Sequence, residues 1–253
     1  MRGLVAGGAG GIGRHIVARM VTAGYEVTVA DVDAARAEQV RRETGAARVW
    51  VGDLATEDGA REAVAAARDS EVLHALVIAS GISPKKNGRK RPFFEITLAE
   101  WNQVVSVNLT GPFLLCKAAY PHLARDGRAA IVAIVSIMAK LGASGPDEAY
   151  PPYSPAGAHY AAAKAALRNL VYSMSRELAP LGIRCNGVSP GHVGTGMGGT
   201  TAGDLGRAVL TQIPLGRTAR PEEIADVVDY LLGDRSTYIT GEIVDVDGGW
   251  CPD

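Results

Sequence analysis

Residues 4–13 read Leu-Val-Ala-Gly-Gly-Ala-Gly-Gly-Ile-Gly, a short apolar run that passes directly into a glycine-rich turn. The stretch that follows carries an apolar stripe at helical spacing, made of Ile12, Ile16, Val17 and Met20. The pattern therefore predicts a strand, a tight turn and a helix. Glycines in such a turn permit unusual φ angles and let backbone N–H groups approach a phosphate at the helix N-terminus. Because this order matches the dinucleotide fingerprint, we expect a dinucleotide-binding turn here.

Apolar runs of the same kind recur along the chain between segments with helical spacing. They cover residues 4–6, 27–30, 48–51, 75–79, 129–135, 183–188 and 243–246. Their nearly continuous apolar character is typical of strands that are buried on both faces of a parallel sheet. Alternation with helices predicts a three-layer, doubly wound α/β fold of the Rossmann type. No linker or repeat interrupts the pattern, so we expect residues 1–253 to form a single domain.

Two helix starts can also be read from the sequence. Thr97 and Glu100 have the spacing of a capping box, in which each side chain accepts a backbone N–H bond at a helix start. Pro221 precedes Glu222 and Glu223, and both proline and acidic residues are favoured in a first helical turn.

The overall composition excludes several functional classes. The 26 basic and 27 acidic residues leave a formal net charge of −1, which gives no sign of a nucleic-acid or membrane partner. Cys116, Cys185 and Cys251 are odd in number and have unrelated spacings, so they predict neither a disulfide framework nor a metal site. We expect a reducing, cytoplasmic location, since neither a secretory leader nor a membrane-spanning run is evident.

Asp31 lies at the end of the second predicted strand and bears on the choice of cofactor. An acidic residue there can accept hydrogen bonds from ribose hydroxyls and would repel a 2′-phosphate. Residues 7–13 contain no Lys or Arg, although Arg14 and Arg36 are nearby. The balance favours NAD over NADP. A simpler interpretation is that Asp31 caps the helix predicted over residues 33–44, and the two roles are compatible.

Tyr160 and Lys164 are four residues apart and therefore share one face of a predicted helix. A tyrosine normally has a pKa near 10, too high for proton transfer at neutral pH. A fixed cation nearby stabilises the phenolate, so we expect Lys164 to lower the pKa of Tyr160 toward the working range. This pair predicts acid–base chemistry on a hydroxyl or carbonyl group.

Further motifs follow in chain order. They are Asp53-Leu54, Val107-Asn108-Leu109-Thr110-Gly111, Ser136 after an apolar strand, the segment 190–195 (Pro-Gly-His-Val-Gly-Thr), Thr240-Gly241 and Asp247-Gly248-Gly249. With the glycine turn and the Tyr160/Lys164 pair, they resemble the single-domain short-chain dehydrogenase/reductase family over essentially the whole chain. The cofactor-binding positions implied by the resemblance are Gly7, Gly11, Ile12, Gly13, Asp31, Asp53, Leu54, Ala79, Gly81, Tyr160, Lys164, Val193 and Thr195.

The resemblance implies a catalytic set of Asn108, Ser136, Tyr160 and Lys164. In that family the serine orients the substrate oxygen, the tyrosine is the acid/base, the lysine binds the nicotinamide ribose and the asparagine holds a proton-relay water. We therefore expect an NAD-dependent short-chain alcohol dehydrogenase or ketoreductase that acts on a small secondary alcohol or carbonyl compound. A homotetramer is implied in the same way.

Three positions depart from the family pattern. Ala6 replaces the usual threonine, and the segment 78–81 (Ile-Ala-Ser-Gly) replaces Asn-Asn-Ala-Gly. Ser136 and Tyr160 are 24 residues apart, a wider gap than is usual in the family. The segment 141–158 within this gap holds four prolines, two tyrosines and two acids between residues 145 and 155. We expect it to be stiff and to form either a wall suited to a hydroxylated ligand or a contact with another subunit.

Two other functions stay open on the sequence. One is an NADP-linked 3-oxoacyl-thioester reductase with the same fold, and the other is a protein that senses NAD(H) without turnover. The basic residues Lys85, Lys86, Arg89, Lys90 and Arg91 follow the fourth strand, where they would either be solvated or face an acidic substrate. Because no His/Cys/carboxylate set has ligand spacing, no metal is predicted.

Overall fold

The computed structural model describes residues 1–69, 71–86, 90–142, 156–197 and 203–251, with the side chains of 203–206 left aside. Seven strands are present in these ranges: β1 (Arg2–Ala6), β2 (Glu26–Asp31), β3 (Arg48–Val51), β4 (Ala75–Ile78), β5 (Ala130–Ile134), β6 (Arg184–Pro190) and β7 (Ile243–Val246). All seven lie where the apolar runs predicted them, within two residues at each end. Most of the predicted segment 141–158, including its prolines, lies outside the described residues, as does Arg89.

The strands form one parallel sheet in the order β3-β2-β1-β4-β5-β6-β7. This confirms the predicted Rossmann-type architecture. The helices are α1 (Gly13–Thr22), α2 (Ala34–Thr44), α3 (Glu57–Arg68), α4 (Leu98–Val105), α5 (Gly111–Ala119), α6 (Met138–Leu141), α7 (Ala158–Leu178), α8 (Gly203–Leu210) and α9 (Pro221–Leu232). A stretch of π-helix, Ser106–Thr110, joins α4 to α5.

The helices cover both faces of the sheet and give the fold its three layers. On one face, α3, α5 and α7 bury a cluster that includes Leu115 and Leu167. On the other, α1, α2 and α9 bury a second cluster that includes Ile16 and Ile224. The strands between them, such as β5, have every residue buried, which explains their continuous apolar character.

Both predicted helix starts are confirmed. The Thr97 hydroxyl accepts the Glu100 N–H at 3.2 Å, and the Glu100 carboxylate accepts the Thr97 N–H at 3.5 Å. Pro221 occupies the first turn of α9. No helix within the described part of the chain has the length and apolar character to span a bilayer.

Candidate active site

A long cleft of about 940 Å³ lies at the carboxyl ends of the central strands. Strand order reverses between β1 and β4, and crevices at such switch points are where doubly wound sheets bind ligands. The cleft lining extends from the glycine-rich turn to Ser136 and Tyr160. Every predicted site residue except Asn108 lines it: Gly7, Gly11, Ile12, Gly13, Asp31, Asp53, Leu54, Ala79, Gly81, Ser136, Tyr160, Lys164, Val193 and Thr195.

The glycine turn has no room for a side chain at three of its positions. Gly7 has a φ of +73°, and a Cβ there would lie 2.5 Å from the Ser80 backbone nitrogen. A Cβ on Gly13 would overlap the Gly7 carbonyl oxygen, and one on Gly11 would lie 2.7 Å from the Thr195 methyl group. Without side chains, the turn gives a dinucleotide pyrophosphate access to the backbone N–H groups at the start of α1.

Asp31 is held at the edge of this turn. One of its carboxylate oxygens accepts the Ala9 N–H at 3.0 Å, and the other accepts the Asp33 N–H at 3.2 Å. The cap of α2 is Asp33, whose side chain accepts the Arg36 N–H at 3.0 Å. The interpretation of Asp31 as the helix cap is thus wrong, because its neighbour performs that role. Each oxygen of Asp31 retains a lone pair that can accept a further bond.

Ser136 and Tyr160 meet in the catalytic half of the cleft. Ser136 follows β5, and its hydroxyl accepts the Met138 N–H at 3.2 Å. It also lies close enough to the Tyr160 phenol to lower the pKa of that group. Since a backbone group occupies one acceptor site of Ser136, the serine proton is available for the phenol or for a substrate oxygen. Two hydroxyl groups can therefore converge on one reacting oxygen.

Lys164 lies beneath the tyrosine, with its Nζ 5.8 Å from the centre of the Tyr160 ring. Its side chain is 3% exposed and donates a hydrogen bond to the Ile134 carbonyl at 2.7 Å. Burial lowers the pKa of Lys164 to about 8. Burial also raises the pKa of Tyr160, outweighing the opposing effect of Ser136. In the protein without cofactor, the pKa of Tyr160 is therefore raised and not lowered, so the prediction that Lys164 lowers it is wrong.

Asn108 lies in the π-helical stretch behind the cleft. Its side-chain amide donates to the carbonyls of Ile82 and Val104, both at 2.9 Å, and its Oδ1 accepts the Ile82 N–H at 3.2 Å. A Cβ on Gly81 would lie 2.7 Å from that Oδ1 and 3.5 Å from the Lys164 Nζ. Asn108 Oδ1 and Lys164 Nζ therefore both lie close to the side of Gly81 on which a side chain would begin.

Met138, His192 and Trp250 are among the lining residues that were not predicted as site residues. Met138 and Trp250 line the cleft beside Tyr160, and His192 lines it from the segment after β6. Burial and the charge of Lys85 lower the pKa of His192. Trp250 follows a recognised Asp-Gly-Gly motif, but nothing in the local pattern indicates that the chain returns there to the active site. No cluster of three metal-ligating side chains occurs among the described residues.

Lys85 and Arg91, two of the basic residues after β4, form polar contacts with described residues. The Lys85 ammonium donates to the Met197 carbonyl at 3.4 Å across the mouth of the cleft. Arg91 forms an ion pair with Glu100 at 2.9 Å. Arg91 is thus engaged within the protein, whereas Lys85 remains close enough to the cleft for the acidic-substrate hypothesis to stay open.

Comparisons with known proteins agree with this geometry. A family model described as enoyl-(acyl carrier protein) reductase matches residues 7–251. The chain is 34% identical to human (3R)-3-hydroxyacyl-CoA dehydrogenase, over 97% of this chain and 94% of that protein. It is 32% identical to cis-4-hydroxycyclohexanecarboxylate dehydrogenase of Sinomonas cyclohexanicum, over 98% and 95%. A crystal structure of a 3-oxoacyl-[acyl-carrier protein] reductase with bound NAD from Brucella melitensis superposes with a TM-score of 0.84, at 31% identity, covering 99% of this chain and 91% of that one.

Proposed function

This chain belongs to the short-chain dehydrogenase/reductase family, and from that premise we propose that it is an NAD(H)-dependent dehydrogenase of a secondary alcohol or its ketone. The observation that carries the proposal is the placement of Tyr160 beside Ser136 and near a buried Lys164, in the same cleft as the glycine turn. Oxidation and reduction at CH–OH and keto groups is the chemistry of the family.

The nicotinamide, when bound, supplies or accepts the hydride. Tyr160 gives the proton to the carbonyl oxygen in reduction and takes it from the hydroxyl in oxidation. Ser136 donates to the same oxygen and fixes its position against the phenol. Lys164 would hold the nicotinamide ribose together with Tyr160. The glycine turn and Asp31 would hold the pyrophosphate and the adenosine ribose.

Asn108 acts in this proposal through a water. Both amide protons of its side chain are used by backbone carbonyls, so only Oδ1 can accept another bond. The space beside Gly81 adjoins both that oxygen and the Lys164 ammonium. A water in this space would pass protons from Lys164 toward the interior end of the cleft.

NAD is the cofactor that the proposal selects. The carboxylate of Asp31 disfavours a 2′-phosphate by charge. A second candidate, an NADP-linked 3-oxoacyl-thioester reductase, is favoured by Arg36, which also lines this end of the cleft. Arg36 is, however, paired with Asp33 at 3.5 Å and largely solvated, so it offers weaker binding to a phosphate than a preorganised guanidinium would.

We further propose a cytoplasmic homo-oligomer, with a tetramer as the family resemblance implies. A groove between α5 and α7 supports this assembly. Its lining combines apolar residues, among them Phe113, which is 48% exposed, with polar ones: Leu109, Phe113, Ala166 and Leu170 together with Thr110, Asn169 and Ser173. All three cysteines are free, which supports a reducing compartment.

The decisive test is Tyr160→Phe, with Tyr172→Phe on the same helix as its control. Tyr160→Phe keeps the ring but removes the proton donor, so turnover should fall at least about 100-fold while NADH affinity is kept. Tyr172 bonds Arg168 and does not line the cleft, so its variant should keep near wild-type turnover. The measurement is NADH oxidation with a panel of ketones, together with NADH titration by fluorescence.

Near-full activity of Tyr160→Phe would contradict the proposal. NADH binding by the wild type without turnover on any alcohol or ketone would favour the NAD(H)-sensing alternative.

A further inference from the structure

The turn that follows β7 is fixed by one carboxylate. Asp247 accepts the Gly249 N–H at 2.9 Å through one oxygen and the Cys251 N–H at 2.7 Å through the other. Gly248 and Gly249 have φ angles of +69° and +85°, which glycine adopts without strain. The turn reverses the chain and sets Trp250 against the active site.

Trp250 lies on an apolar surface beside the catalytic pair. Ile137, Met138, Ala156 and Ala161 are each at most 6% exposed and form a cluster against which Trp250 and Tyr160 both pack. Trp250 and Met138 also line the cleft. The indole Nε1 is buried and has no hydrogen-bond partner among the described residues, so the part of Trp250 that faces the cleft is its ring and not its donor.

An ion pair joins the two segments that make up this surface. Lys140 of α6 pairs with Asp245 of β7, and their side chains are only 15% and 16% exposed. Lys140 lies shortly after Ser136, and Asp245 lies shortly before the turn that carries Trp250. The apolar surface and the serine are therefore held by the same pair of segments, which limits independent movement of Trp250.

We propose that Trp250 determines substrate specificity, by selecting alcohols and ketones with an apolar group next to the reacting carbon over polyhydroxylated ones. The proposal rests on the proposed function, because it assumes that the reacting oxygen lies between Ser136 and Tyr160. A substituent on that carbon then lies close to Trp250 and Met138. A hydroxyl placed there would lose its bonds to water and gain none from these side chains.

Sugars also lie on indole rings, so the neighbours of Trp250 matter. A sugar ring on an indole needs polar partners around its edge for its hydroxyls. Trp250 packs with the cluster of Ile137, Met138 and Ala161, whose side chains carry no hydroxyl, amide or charged group, and Tyr160 beside it is engaged in catalysis. The prediction of a hydroxylated ligand rested on residues 145–155, which lie outside the described ranges. The described surface around Trp250 favours ligands with apolar groups over hydroxylated ones.

A matched pair of ketones tests the proposal. Butanone and hydroxyacetone have the same number of heavy atoms and differ by a methyl group in place of a hydroxyl on the carbon next to the carbonyl. With NADH, we expect the wild type to prefer the methyl compound by at least about tenfold in kcat/KM. Trp250→Ala should reduce this ratio to within about threefold, and Trp250→Gln, which adds polar groups, should bring it to one or below.

Trp101→Ala is the control, because Trp101 is 41% exposed on α4 and does not line the cleft. It should leave the ratio unchanged, and NADH affinity should be unaltered in all three variants. Thermal unfolding shows which variants fold. If Trp250→Ala does not fold, the ratio measured with Trp250→Gln still tests the specificity proposal.

A second readout does not depend on turnover. The chain has three tryptophans, so replacement of Trp50 and Trp101 by Phe leaves Trp250 as the sole indole. Saturation with NAD⁺ and then butanone should change its emission, whereas hydroxyacetone at the same concentration should change it less.

A methyl-to-hydroxyl ratio near one in the wild type, or a ratio unchanged in both Trp250 variants, would overturn the specificity proposal while leaving the oxidoreductase function intact. If the wild type reduces no ketone of either kind and Trp250 emission does not respond, the specificity proposal fails together with the function on which it rests.

Discussion

Lys164 combines a charge with almost complete burial, and this combination has a measurable cost. Its pKa falls from the ordinary 10.5 to about 8 because the charged form is poorly solvated. Such a fall corresponds to about 3 kcal/mol of lost stability while the lysine is protonated. A residue with this cost and with catalytic neighbours is typical of a functional site.

The loss of stability caused by protonated Lys164 should depend on pH. Above pH 8 the folded protein releases the Lys164 proton, whereas the unfolded chain keeps it up to pH 10.5. The unfolded state then binds more protons, so stability rises with pH in this window. The free energy of unfolding of the wild type relative to Lys164→Met should rise by about 2 kcal/mol between pH 7.5 and 9.5. Urea denaturation at several pH values measures it, and a constant difference would contradict the buried, titrating lysine.

Asp31 gives the second prediction for a single residue. The wild type should prefer NAD(H) over NADP(H) by at least about tenfold in kcat/KM. Asp31→Ser removes the charge that repels a 2′-phosphate, so the preference should shrink, chiefly through tighter NADP(H) binding. Asp58→Ser is the control, because Asp58 is an exposed carboxylate in the first turn of α3 that does not line the cleft. Cofactor titrations check both variants, and equal efficiency of the wild type with both cofactors would refute the assignment.

At the level of elements, the π-helical stretch between α4 and α5 brings Asn108 to the segment after β4. The local sequence gives no sign of it, because Ser106–Thr110 has ordinary helical spacing. The Asn108 side chain stabilises this stretch by one local bond to the Val104 carbonyl and by tertiary bonds to the backbone of Ile82. π-Bulges are rare and are often found at functional sites.

Gly81→Ala tests the space that this arrangement leaves. The new methyl group would lie 2.7 Å from Asn108 Oδ1, where the proposal puts a relay water. We expect kcat to fall about tenfold or more, with NADH affinity within about twofold of the wild type. The control is Gly196→Ala in the same cleft, where a Cβ would meet no atom within 4 Å. Equal effects of the two substitutions on kcat would remove the support for a water at this place.

At the scale of the whole molecule, the strands, the sheet class and the cleft residues that belong to recognised motifs could be predicted because their signals are local. Continuous apolar runs mark β1 to β7, and the glycine turn can be recognised from its own residues. Trp250 could not be predicted, since its position depends on packing against Ile137 and Met138, more than a hundred residues earlier. The raised pKa of Tyr160 was missed for a similar reason, because burial depends on the completed fold and not on the spacing to Lys164.

The parallel sheet also determines how this chain must fold. Every pair of neighbouring strands is parallel, and each connection between consecutive strands contains a helix, so no ladder can begin as a local hairpin. β1 has to pair with β4 across all of β2 and β3, with Gly3 opposite Ala75. The entropy of closing such loops is lost before the strand contacts compensate for it. Refolding should therefore be limited by long-range strand pairing, and the half-formed sheet would expose unpaired edges on which other copies of the chain can aggregate.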